Sequence, residues 1–120
     1  MNRLFVLTEE FERQWKRMGM DDNDLMRLEH EILCNPQVGD VVEGTGKLRK
    51  MRFAFGGRGK SGSARVIYVG FVTYQTIYLI SAYSKSEKRN LLPEEKSKIK
   101  RIIDIIENSL ERRHDHGRIR

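Results

Sequence analysis

Apolar positions recur along this chain first at helical spacing and then at strand spacing, and the switch divides it into elements. Arg3 to Leu7 (R-L-F-V-L) reads as a short strand. Thr8 is a good N-cap, and Glu9 and Glu10 favour the positive end of a helix. Phe11, Trp15 and Met18 then fall on one helical face, and Gly19 ends the segment. Asp21 or Asp22 caps a second helix with Leu25, Leu28 and Ile32 on its buried side, and Asn35-Pro36 stops it. The two helices form a hairpin.

From Val38 the period changes. Gly39 to Gly46 (G-D-V-V-E-G-T-G) is a glycine-punctuated connection with room for a short edge strand. Leu48 to Phe55 alternates: Met51, Phe53 and Phe55 point one way, Lys50 and Arg52 the other. Gly56 to Ser63 (G-G-R-G-K-S-G-S) reads as a long hairpin loop. Ala64 to Val72 is a strand with Val66, Tyr68 and Val72 on one face and Arg65, Ile67, Val69 and Phe71 on the other; Thr76 to Tyr83 is the next. Apolar residues on both faces place these two strands centrally in a sheet. The last helix begins near Pro93, followed by Glu94 and Glu95, and carries a stripe of Ile99, Ile102, Ile103, Ile106 and Leu110. The order β-α-α-β-β-β-α predicts an α+β domain, a small antiparallel-dominated sheet with helices packed on one face.

At 120 residues the chain is long enough for one modest core, which the pattern assigns to residues 1–111. Residues 112–120 show no period and are expected to form a disordered basic tail. The lone Cys34 excludes an internal disulfide framework and argues for a reducing compartment; its place at the end of an amphipathic stretch points to inert packing. No apolar run approaches the roughly 20 residues of a membrane span, and the N-terminus does not read as a signal peptide, so the expected location is cytoplasmic, with no membrane partner.

Charge changes the picture. Between Glu43 and Glu87 there is no Asp or Glu, yet Gly44 to Ser86 holds eight basic residues: Lys47, Arg49, Lys50, Arg52, Arg58, Lys60, Arg65 and Lys85. The whole chain carries +6, so the rest sums to −2. A basic sheet face without neutralising carboxylates is a site for a polyanion, nucleic acid first.

The run G-R-G-K-S (57–61) is not a phosphate-binding P-loop. The position that needs the first glycine is Ala54, and the loop joins two strands instead of a strand and a helix. Two readings of it stand: a basic loop that grips phosphodiesters through Arg58 and Lys60, and a plain hairpin tip with solvated charges. His30 lies mid-helix and His114 and His116 in the tail; no Cys/His constellation supports a metal, and no cofactor is expected. Chemistry must then use Lys, Arg and Tyr, which suits phosphoryl transfer, where positioning and charge neutralisation dominate. Lys50, Arg52, Arg65 and Lys85 come from three consecutive strand segments and could converge opposite Met51, Phe53 and Phe55. Arg65 opens a strand otherwise made of apolar residues, where a charge needs a task or a partner; an arginine snorkelling at a strand end is the plainer alternative.

Three segments, L-R-K-M-R-F (48–53), G-R-G-K-S-G-S-A-R-V-I-Y (57–68) and I-Y-L-I-S-A-Y-S-K-S-E-K (77–88), strongly resemble the RelE/HigB family of bacterial toxins. N-P-x-x-G-D-V-V-x-G-T-G (35–46) and L-x-P-E-E-K (91–96) agree, and the likeness spans about residues 3–110, nearest the HigB-type branch with G-T-G-x-L-R-K. The resemblance implies a RelE-like, microbial ribonuclease-like fold and a type II toxin that enters the ribosomal A site and cuts mRNA, a metal-independent endoribonuclease. It implies a helix-turn-helix antitoxin of the HigA kind as partner, with operator DNA reached only through that antitoxin. Carried over by motif position, Arg65 resembles the arginine that stabilises the transition-state phosphate, Lys50 and Arg52 the paired basic residues of the preceding strand, and Lys85 the basic residue after the last strand. Lys47, Arg49, Arg58, Lys60, Tyr83 and Lys88 are the expected RNA contacts around them, Tyr83 either stacking on a base or closing the core as a strand-end aromatic.

The departure lies just before and inside the last helix, where some relatives carry a catalytic tyrosine and this chain has Asn90, Leu91 and Leu92. That leaves the general acid and base open, since an ordinary lysine, ionising near pH ~10, is a poor base unless clustered cations lower it. Two other classes remain beside the nuclease: a ParE-like inhibitor of DNA gyrase, and an RNA- or ribosome-binding module without chemistry.

Overall fold

A computed structural model of the chain describes residues 4–55, 62–84 and 92–118, with the backbone alone at 72 and 114–118. In chain order the elements are β1 (Leu4–Leu7), α1 (Glu9–Arg17), α2 (Asp22–Cys34), β2 (Asp40–Val41), β3 (Arg49–Ala54), β4 (Ser63–Phe71), a 3-10 turn (Val72–Tyr74), β5 (Thr76–Ser84) and α3 (Pro93–Arg118). They form an α+β domain around a five-stranded sheet of order β1-β5-β4-β3-β2, antiparallel except for the parallel β1–β5 pair. The short edge strand has formed in the glycine-rich connection, and β4 and β5 lie inside the sheet, as their two-faced apolar pattern predicts. No described helix is long and apolar enough to cross a membrane.

Local chemistry sets the element boundaries. Thr8 accepts from the backbone N–H of Phe11 and donates its hydroxyl to Ile80 O at 2.7 Å, so one residue caps α1 and fastens it to β5. Gly19 takes φ +77°, which lets Met20 N–H reach back to Trp15 O and close the helix. Asp21 and Asp24 form a reciprocal capping box on α2. β1 pairs β5 only as far as Leu7–Leu79; beyond that, the Gln14 side-chain oxygen accepts from Ala82 N–H and from the Ser81 hydroxyl, supplying the missing edge partner.

The sheet is covered on both faces, which corrects the expectation of helices on one face only. Phe11 and Trp15 of α1 and Leu28 and Ile32 of α2 bury Met51, Phe53, Val66 and Tyr68. On the other side, Ile103 of α3, flanked by Ile99, Ile106 and Leu110, buries Leu48, Ile67, Val69 and Phe71. A strand apolar on both faces needs cover on both. Ile102 stands about 60° around the helix from Ile99 and is 42% exposed, so it lies at the margin of the stripe.

Two further expectations change. The helix α3 runs to Arg118, past the predicted boundary at residue 111, because E-R-R-H-D-H offers no breaker before Gly117. Cys34 is exposed instead of packed, with its sulfur 3.5 Å from His30 Nε2 one turn earlier.

Candidate anion site on the sheet

Strand register brings the predicted cations together. Arg52 on β3 lies directly opposite Arg65 on β4, and Arg65 directly opposite Tyr83 on β5. Lys50 is two residues from Arg52 on the same strand, so all four occupy one face, opposite Met51 and Phe53. This is the face that α3 covers; on β4 its buried apolar residues end with Ile67, on β5 they continue to Tyr83, and the ends of β3 and β4 beyond Ile67 carry charge.

The two arginines share one acceptor. Arg52 Nε donates to Ser63 Oγ at 3.0 Å and Arg65 Nη1 donates to the same oxygen at 2.9 Å. Among the described residues, none of Lys50, Arg52 and Arg65 has a carboxylate partner. Like charges directly opposite on neighbouring strands repel, so such a pair costs stability unless an anion completes it. Arg65 is half-buried, and its guanidinium bonds the same hydroxyl as that of Arg52.

Tyr83 differs from the expected stacking platform. Its ring is buried in the α3-side core and only 4% of the residue is exposed, which leaves no face for a base. Its hydroxyl is buried without a hydrogen-bond partner among the described residues. Burial pushes its pKa up; Arg65 opposes this, and Glu95 in the first turn of α3 adds to it. The phenol is therefore a neutral donor at physiological pH, beside Arg65.

Two of the expected RNA contacts have other work. Arg49 points to the opposite face from Lys50 and Arg52 and donates to Gly39 O at 2.6 Å and to Gln37 O. Lys47 pairs with Glu107 of α3 and lies over the Phe71 ring, 5.5 Å from its centroid. Both line a cleft of about 350 Å³ with Gln37, Gly70, Tyr74 and Glu107, at the end of the sheet away from the arginine pair. Arg58, Lys60, Lys85 and Lys88 lie outside the described residues. Sequence reasoning missed Ser63 and Glu95. Ser63 was legible as the residue two before Arg65 on the same strand face, whereas Glu95 comes from a helix whose placement the sequence did not show.

A family model described as "RelE toxin of RelE / RelB toxin-antitoxin system" matches residues 2–115. The chain belongs to the RelE toxin family. Its fold is also similar to a solved structure of a double mutant of the E. coli toxin RelE in the free state, with a TM-score of 0.54 and 16% sequence identity over 82% of this chain and 97% of that one. At that identity the likeness speaks for the fold alone, and the fold agrees with the family assignment.

Proposed function

We propose that this toxin is a ribosome-dependent endoribonuclease that cuts mRNA in the A site by attack of a ribose 2′-OH on the adjacent phosphate. The observation that carries the reading is the Arg52–Arg65 pair, two guanidinia on facing strands joined through one hydroxyl and lacking a described carboxylate. The 2′-oxygen forms a bond to phosphorus while the bond to the 5′-oxygen breaks, giving a cyclic phosphate and a free 5′-OH. Arg65 and Arg52 neutralise the charge that gathers on the non-bridging oxygens, the kind of preorganised stabilisation that usually dominates such reactions. Lys50 helps to activate the 2′-OH, whose proton passes to solvent, and Lys85 protonates the departing 5′-oxygen.

The partners in this reading are the ribosome with its mRNA and a cognate antitoxin, of the helix-turn-helix, HigA-like kind. Family membership and the resemblance to the HigB-type branch support it. Primer extension on mRNA after induction tests the reading: cuts within translated codons that disappear when translation initiation is blocked are expected. DNA damage without mRNA cuts would assign the protein to gyrase poisoning, and translation arrest without either would leave a binding module.

A further inference from the structure

Ser63 stands where the two guanidinia meet, and its position has a chemical consequence. A serine hydroxyl has two acceptor lone pairs and one proton. Here both lone pairs are taken, by Arg52 Nε at 3.0 Å and Arg65 Nη1 at 2.9 Å. What remains is the O–H, and no described residue accepts it. Ser63 opens β4 opposite Ala54, two residues before Arg65 and diagonal to Arg52, so it shares their face and is half-buried.

We propose that Ser63 is a positioning residue that sets the Arg52 and Arg65 guanidinia at the spacing of one phosphate and turns its own proton outward as a third donor to the same group. The inference rests on the phosphodiester reading of the site. Its logic lies in the residue type. Aspartate at this position would bond both guanidinia, cancel one of their two charges and occupy them with a carboxylate, leaving a weaker field for a ligand. Alanine would leave two like charges facing each other with nothing to fix their torsions. A hydroxyl orders both cations and cancels neither, which is the preorganisation that anion stabilisation needs.

The test uses the full-length protein and an RNA oligonucleotide with 2′-O-methyl riboses, which cannot be cleaved. Binding is followed by fluorescence anisotropy at low salt, alongside the Nε–Hε NMR resonances of Arg52 and Arg65. Ser63→Ala should weaken binding roughly tenfold, the scale of one lost charge-assisted hydrogen bond, and should move the Arg52 Nε–Hε resonance in the free protein. Ser63→Thr, which keeps the hydroxyl, should restore both. Ser63→Asp should raise the melting temperature while abolishing binding, a split that a purely structural role for the serine would not produce. If the unaltered protein binds and Ser63→Ala binds equally well with an unmoved Arg52 resonance, this inference is wrong and the phosphodiester reading survives. If the unaltered protein does not bind the oligonucleotide, the inference of a preformed phosphate site falls, and the ribosome-dependent reading is decided by the primer-extension test alone.

Discussion

The two ends of the β3–β4 ribbon carry cations of the same kind and use them differently. At one end Lys47 and Arg49 meet acceptors that the protein supplies, the Glu107 carboxylate and the Gly39 and Gln37 carbonyls. At the other, roughly 10 Å along the strand from Arg49 to Arg52 at about 3.3 Å per residue, Arg52 and Arg65 meet only the Ser63 hydroxyl among the described residues. The difference teaches that a cluster of charge in a sequence is not yet a site. Acceptor supply divides it: a cation bonded to carbonyls and carboxylates builds the fold, and a cation left with a neutral hydroxyl is available to a ligand.

The largest effect that could break this comparison belongs to Arg65. Arg65→Ala should lower RNA cleavage by roughly 10²- to 10³-fold, the usual cost of one preorganised oxyanion donor, with circular dichroism and melting temperature close to those of the parent. A folded variant that cleaves and kills as well as the parent would remove Arg65 from the mechanism.

Next in size is Arg49, where the expectation inverts. Arg49→Ala removes a charged donor from the Gly39 and Gln37 carbonyls and should cost about 1.5–3 kcal/mol of folding stability by urea titration. Arg52→Ala, three residues on, should stay within about 0.5 kcal/mol of the parent, or gain slightly from relief of repulsion with Arg65, while losing cleavage. Equal stability losses at the two positions would erase the distinction between the ends of the ribbon.

Much of this was legible in the sequence, and the limit of legibility has a physical cause. The alternation of Met51 and Phe53 with Lys50 and Arg52 put the cations on one face, and Thr8, Gly19 and Asp21 marked helix ends through their own side-chain and backbone preferences. These are short-range signals. What the sequence did not show depends on partners far along the chain. Lys47 and Arg49 looked as free as Arg52, because Glu107 lies 60 residues from Lys47 and the carbonyls of residues 37 and 39 have no sequence signature. Tyr83 looked as able to stack on a base as to fill the core, since only the docking of α3 decides which. The two-faced apolar pattern of β4 and β5 did require cover on both sides, although the expected architecture placed the helices on one.

Tyr68 sharpens the same contrast at the bonded end. Its hydroxyl donates to Pro36 O at 2.8 Å and accepts from Gly39 N–H at 3.1 Å, fastening the 36–39 connection to β4. Gly39 itself lies against β3 so closely that a Cβ would stand 2.8 Å from Lys50 O. Tyr68→Phe leaves those backbone groups unpaired and should cost about 1–3 kcal/mol. Burial holds the Tyr68 phenol above its ordinary range, against the opposing effects of the Gly39 hydrogen bond and Arg49. Because the folded pKa exceeds the unfolded value, the stability linked to this proton is complete below pH ~10 and is lost as pH rises through the folded pKa. Melting temperatures measured from pH 8 upward should therefore fall more steeply in the parent than in Tyr68→Phe; parallel curves would show that the phenol titrates without cost.

The smallest effect concerns Lys47 and Glu107. Their ion pair is partly exposed, with side-chain exposures of 47% and 32%, so it should contribute only about 0–1 kcal/mol and weaken in salt. The Lys47 ammonium over the Phe71 ring adds at most a similar amount. Lys47→Ala and Glu107→Ala should each lower stability by under about 1 kcal/mol, and the double variant should cost less than their sum, since each removes the same contact. RNA cleavage should barely change in Lys47→Ala, because its charge is already spent on α3. A loss of cleavage there comparable to that of Arg52→Ala would mean that the bonded end of the ribbon also carries ligand, and the division by acceptor supply would fail.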